Sequence, residues 1–96
     1  FSTTDLSRCD LTGATLDRAD FSEARLTGAK LIRCSLKEAT LQAASARDAR
    51  FDFADLTKVR AAEADCVMAV FHQAQALKSL KFTKTPALQT GTQDSK

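Results

Sequence analysis

The chain has 96 residues, 44% of them apolar, with no Trp or Tyr, three Gly and one Pro; it is long enough for one domain but short for a conventional core. Its formal charge of +2 lacks the basic excess of a nucleic-acid binder, and no apolar run approaches the roughly 20 residues that span a bilayer. Residues 1–76 hold ten Lys/Arg against eleven Asp/Glu, a net of −1, whereas residues 77–96 hold Lys78, Lys81, Lys84 and Lys96 against Asp94, a net of +3.

From Phe1 onward the chain is periodic. Positions 6 to 71, taken in fives, read Leu6, Leu11, Leu16, Phe21, Leu26, Leu31, Leu36, Leu41, Ala46, Phe51, Leu56, Ala61, Cys66 and Phe71, so eleven of fourteen are Leu or Phe. Positions 4 to 74 in fives hold Ala at eleven of fifteen places, and none is larger than Val59. A five-residue period suits neither a helix nor a flat strand. It suits a chain that turns a corner once per repeat, with one large and one small side chain inward and three residues facing water. Gly13 and Gly28 lie two residues after a central Leu, where a tight corner uses glycine's freedom. No signal peptide is visible, and Phe1 is already in phase, so the chain reads as a domain of a longer protein or a processed one.

Ala19-Asp20-Phe21, Ala54-Asp55-Leu56 and Ala64-Asp65-Cys66 carry the pattern A-(D/N)-L-x-x, with Ala14-Thr15-Leu16 and Ala24-Arg25-Leu26 as looser copies. Over about residues 1–75 the chain therefore resembles the pentapeptide-repeat proteins. The resemblance implies an all-β fold: a right-handed quadrilateral parallel β-helix with four repeats per coil, here a little under four coils. Residues 20 apart would then stack. The core columns would be Leu11, Leu31, Phe51, Phe71; Leu16, Leu36, Leu56, Ala76; Phe1, Phe21, Leu41, Ala61; and Leu6, Leu26, Ala46, Cys66. Asp5 would stack on Arg25, Asp10 on Lys30, and Arg18 on Glu38 and then Lys58. Arg60-Ala61-Ala62-Glu63 is a weak repeat where the register could fail.

The repeat domain is expected over 1–76. The segment His72–Phe82 has helix formers and no β-branched residue, which predicts a short helix. Residues 77–82 are expected to cap the open coil, with Leu77, Leu80 and Phe82 as the covering side chains. Residues 83–96 read as a disordered tail or linker.

The chemistry-bearing residues point away from catalysis. Cys9, Cys34 and Cys66 lie in inward phases, an odd count without C-x-x-C spacing, so they read as buried free thiols, suited to a reducing compartment. His72, the one histidine, reads as a surface residue where the repeats meet the cap. No catalytic residue, cofactor site or metal motif is predicted. The outward carboxylates read as a solvated face that also sets register.

The exception to the polar surface is Val67, Met68 and Val70 on the last coil, with Phe53 one coil earlier and Ile32 on a neighbouring column. These make a candidate partner or dimer patch, unless the chain's own C-terminal helix covers it. The expected function is a non-enzymatic scaffold or protein-interaction module that binds another protein, or a second copy through the C-terminal coil, with no nucleic acid and no membrane segment. The resemblance places it in a larger bacterial protein, such as a secreted effector or secretion-system component, either cytoplasmic or secreted. Two alternatives follow. One is a DNA-mimicking gyrase-binding protein that protects against quinolones, which the net of −1 and the scattered arginines disfavour. The other is the targeting domain of an enzyme whose catalytic part lies elsewhere.

Overall fold

A computed structural model describes residues 1–77. Parallel bridges join residues 20 apart, from Asp5↔Arg25, Asp10↔Lys30, Thr15↔Ser35 and Asp20↔Thr40 up to Asp55↔Gln75. One coil is therefore four pentapeptides, and the chain winds a little under four coils. Each repeat contributes a single bridging residue before the chain turns again. The β-pairing consequently exists as isolated bridges, and the described residues contain no continuous strand.

Local physics explains the corner. In each repeat the N–H of the small residue donates to the carbonyl of the large one, as Ala24 does to Phe21 at 3.0 Å. The second residue between them has positive φ, 59° at Glu23 and 61° at Phe53. That combination is the pattern of a type II turn. Gly13 and Gly28 occupy this position with φ of 77° and 70°, as their spacing predicted. Elsewhere an ordinary L-residue sits there, at Thr3, Arg8, Arg18, Arg33, Ala43 and others, and the stack holds it in a conformation it disfavours.

The repeat also explains its own aspartate. Between coils, Phe21 N–H donates to Thr40 C=O at 2.8 Å, Glu23 N–H to Gln42 C=O at 2.9 Å, and Arg25 N–H to Thr4 C=O at 2.9 Å. With the turn bond, four of the five amides in a repeat find backbone partners. The fifth, just after the large residue, takes a side chain: Ser22 N–H donates to Asp20 Oδ1 at 2.9 Å. The other full copies of the motif do the same, Thr57 to Asp55 at 3.1 Å and Val67 to Asp65 at 3.2 Å. Asp5 and Asp10 likewise accept from Ser7 and Thr12, each at 3.0 Å. Asp precedes the central residue because its short carboxylate reaches the one amide that the ladder leaves over.

Packing follows the columns. Phe21, Leu26, Leu31, Leu36, Leu41, Phe51, Leu56 and Phe71 are buried, and Ala24, Ala29, Ala39, Ala44 and Ala54 close the space between them. Each such Leu or Phe contributes about 1.5–3 kcal/mol by leaving water. The Phe51 and Phe71 rings stack at 4.9 Å and 3°, and Phe1 and Phe21 at 5.2 Å and 9°, close to the spacing of paired strands.

Three expectations need correction, and one alternative falls away. Leu6, Leu11 and Leu16 are only partly buried, and Phe1 is 54% exposed: among the described residues these side chains have a neighbouring coil on one side alone. Ala76 does not continue the Leu16–Leu36–Leu56 column: it turns to a φ of 65°, and Leu77, one residue later, is the side chain that enters the core. His72–Gln75 form a further repeat rather than the start of a helix, with Ala74 N–H donating to Phe71 C=O at 3.1 Å. The weak repeat at 60–63 keeps its register, since Thr40 bridges Arg60 and Ala61 is buried. Most of the 77–82 cap and all of the 83–96 tail lie outside the described residues.

Candidate interaction surface

The outward apolar residues sit around two neighbouring corners. Val67 and Met68 occupy the second corner of the fourth coil. Val70 follows on the side leading to the next corner, paired with Arg50 below it. His72 and Gln73 form that next corner, and Phe53 stands one coil lower, its N–H donating to His72 C=O at 2.9 Å. Met68 and Phe53 are 42% and 43% exposed, while Val67 and Val70 are half-buried. Leu80 and Phe82, which the covering helix would supply, lie outside the described residues.

Phe53 is held in place rather than splayed. The Arg33 guanidinium lies over its ring at 5.0 Å, and the His72 ring meets it edge-on at 5.7 Å. Both neighbours follow from the register: Arg33 is 20 residues below Phe53, and His72 is 19 above it. The aromatic is thus presented as a rigid anchor of the kind that dominates protein interfaces. Sequence reading found Phe53 but missed this clasp, although the 20-residue stack already placed Arg33 beneath it.

A charged pair separates the two corners. Arg50 donates to both carboxylate oxygens of Asp52, from Nε at 3.1 Å and from Nη2 at 2.7 Å, and this pairing raises the Arg50 pKa. Asp52 is 7% exposed, so the bond satisfies a carboxylate that the fold takes out of water. Arg47 and Asp65 pair at 2.7 Å beside Val67.

The remaining candidates lie as follows. Cys34 and Cys66 are buried and Cys9 is partly buried; all three are free thiols. Burial and the nearby Asp65 push the Cys66 thiol up to about 12, and burial likewise raises Cys34, the opposite of what a nucleophilic thiol requires. Asp5 and Asp10 stand in register with Arg25 and Lys30 but turn their carboxylates to their own corners. The side chains of Ser7, Thr12 and Ser22, and then the backbone amides, hold Asp5, Asp10 and Asp20 below the usual carboxylate range. Arg18 reaches Glu38 at 3.6 Å, as the stack predicted. Among the described residues no group of His, Cys, Asp and Glu could hold a metal ion, and no helix is long and apolar enough to cross a membrane.

The family model described as pentapeptide repeats matches in eight copies, over residues 4–42 and 34–65. A pentapeptide-repeat protein from the thylakoid lumen of Arabidopsis thaliana is 26% identical with a TM-score of 0.52, covering 84% of this chain and 59% of its own. HetL, a pentapeptide-repeat protein involved in heterocyst differentiation regulation in the cyanobacterium Nostoc, is 31% identical with a TM-score of 0.46, covering 81% of this chain and 38% of its own. Rfr23 from the cyanobacterium Cyanothece is 23% identical with a TM-score of 0.48, covering 90% of this chain and 64% of its own. The chain spans less than two thirds of each of these three structures. No curated protein matches it.

Proposed function

Since the chain belongs to the pentapeptide-repeat family, we propose that it is a non-enzymatic interaction module, holding another protein or a second copy through the outward apolar residues of its last coil. The observation that carries this reading is the exposure of Phe53 and Met68, 43% and 42%, on the flank of the solenoid; among the described residues Phe1, in the first coil, is the one other large apolar side chain so exposed. Val67 and Val70 extend the patch, and the Arg33–His72 clasp holds Phe53 in place, which lowers the ordering cost on binding. The inward thiols and the carboxylates tied to their own turns support the absence of catalysis. The coil is read as right-handed, as the family resemblance implies.

The wider setting we propose is a domain of a larger bacterial protein, such as a secreted effector or a secretion-system component. The gyrase-binding alternative takes second place, because Arg18, Arg25, Arg33, Arg47, Arg50 and Arg60 interrupt any acidic imitation of DNA; absence of quinolone protection in a supercoiling assay would end it.

Light scattering of the wild type and Met68→Lys tests the patch. A dimer that becomes a monomer in the variant supports self-association there. A dimer of unchanged mass in both rejects the patch as its interface. A monomeric wild type leaves the partner as a different protein, to be captured by the wild type and lost by the variant; capture by both would move the site elsewhere.

A further inference from the structure

The side of the solenoid opposite the apolar patch joins the corner at 16–19 to the corner at 21–24. Its outward residues stack through the bridges Asp20↔Thr40 and Thr40↔Arg60. Here the surface is hollowed into a groove of about 490 Å³ lined by Arg18, Glu38, Thr40, Lys58 and Arg60. Three cations face one carboxylate, and that carboxylate is already engaged by Arg18 at 3.6 Å. Lys58 and Arg60 are exposed, and among the described residues neither has a carboxylate within ion-pair distance, unlike Lys37, Arg47 and Arg50. Asp20, at the foot of the same side, stands two coil steps below Arg60, about 9.6 Å at the spacing of paired strands, and turns its Oδ1 to Ser22 N–H at 2.9 Å.

We propose that this groove binds an acidic, extended segment of a partner protein, independently of the apolar patch. The stack brings two like charges together at the C-terminal end of the groove, and an incoming carboxylate relieves that repulsion as well as pairing with each cation. The dimensions suit a chain rather than a single small anion. Arg18 and Lys58 are two coil steps apart, about 9.6 Å at the spacing of paired strands, while carboxylates three residues apart on a segment in the extended polyproline II conformation share one face and are separated by about 9.3 Å. Thr40 keeps the middle of the groove low and offers a hydroxyl to the segment's backbone. No aromatic residue lines the groove, so it lacks the stacking platform that single-stranded nucleic acid requires.

The test is a titration of the ¹⁵N-labelled full chain with a hexaglutamate peptide at low salt, followed by its amide shifts, with hexaglutamine as control. Hexaglutamate should shift Thr40, Lys58 and Arg60, and the affinity should fall roughly tenfold in Lys58→Gln/Arg60→Gln and fade at high salt, as expected for two exposed ion pairs. Both substituted side chains are solvent-facing, and the wild-type shift map stands even if the variant misfolds. Unchanged affinity in that variant would overturn the proposal. So would a loss confined to a Lys78→Gln/Lys81→Gln/Lys84→Gln variant without groove shifts. Shifts of the same amides by inorganic polyphosphate but not by hexaglutamate would also overturn it.

Discussion

Ala43 occupies the left-handed corner position with a φ of 58°, and its side chain is exposed. In an ordinary β-structure, replacing it with Gly would cost about 0.5–1 kcal/mol through the extra freedom of the unfolded chain. Here the folded state relinquishes a left-handed penalty of about 1–2 kcal/mol. The difference makes Ala43→Gly stabilising by about 0.5–1 kcal/mol. The reverse experiment is available at Gly13, whose φ is 77° and where an added Cβ would have nothing within 4 Å. Gly13→Ala should therefore cost a similar amount, about 0.5–1 kcal/mol, entirely through backbone conformation. Urea unfolding followed by circular dichroism measures both, and each step is worth roughly 2–8 °C in the thermal midpoint. If Ala43→Gly destabilises while Gly13→Ala stabilises, the account of the corner as a strained type II turn is wrong.

Other outcomes follow from the same structure. Phe51→Ala removes a fully buried ring stacked on Phe71 and should cost about 3–5 kcal/mol, whereas Phe1→Ala, at a position 54% exposed, should cost under about 1 kcal/mol; equal losses in urea melts would refute the difference in burial. Asp5, Asp10 and Asp20 have folded-state pKa values below the ordinary 3.8. The stability they contribute is complete above that value and is lost as pH falls through the lower folded values, so a pH titration of stability should show a decline setting in near pH 4 and none between pH 5 and 8 from these groups. In thiol labelling at pH 8, Cys9 should react first, while Cys66, with its pKa pushed up to about 12, and Cys34 wait for unfolding; simultaneous labelling of all three under native conditions would contradict the inward placement.

The architecture was legible because its determinants repeat. Leu26, Leu31 and Leu36 declare the inward phase, and Gly13 and Gly28 mark the corner position later occupied by thirteen ordinary residues between Thr3 and Gln73. The pairing of Arg18 with Glu38 follows from the 20-residue stack alone. What stayed hidden were side-chain choices that the period does not dictate. Asp10 could have faced Lys30 above it or the amide of Thr12 beside it, and the local amide wins because it is otherwise unpaired. Arg50 takes Asp52 within its own repeat, and Arg47 takes Asp65, one coil up and two positions back; neither lies on a shared column. At the end of the array Ala76 was in phase but too small to close the core, and the chain turns early to use Leu77. The apolar patch was found as residues out of pattern, whereas the cationic groove was missed because Lys58 and Arg60 look like ordinary surface charges until the carboxylates available to them are counted.

The 20-residue stack constrains how such a chain can change its length. Excising one pentapeptide, Leu41–Ser45 for example, leaves every inward position inward, so the fold survives. It also turns everything downstream by a quarter of a revolution: Phe53 would stand over Gly28 instead of Arg33, and Lys58 over Arg33 instead of Glu38. Excising a whole coil restores the alignment. Insertions and deletions in steps of five are therefore neutral for folding yet reshuffle the surface, while steps of twenty preserve both, so a lineage of such proteins can reassign its binding faces without ever touching its core.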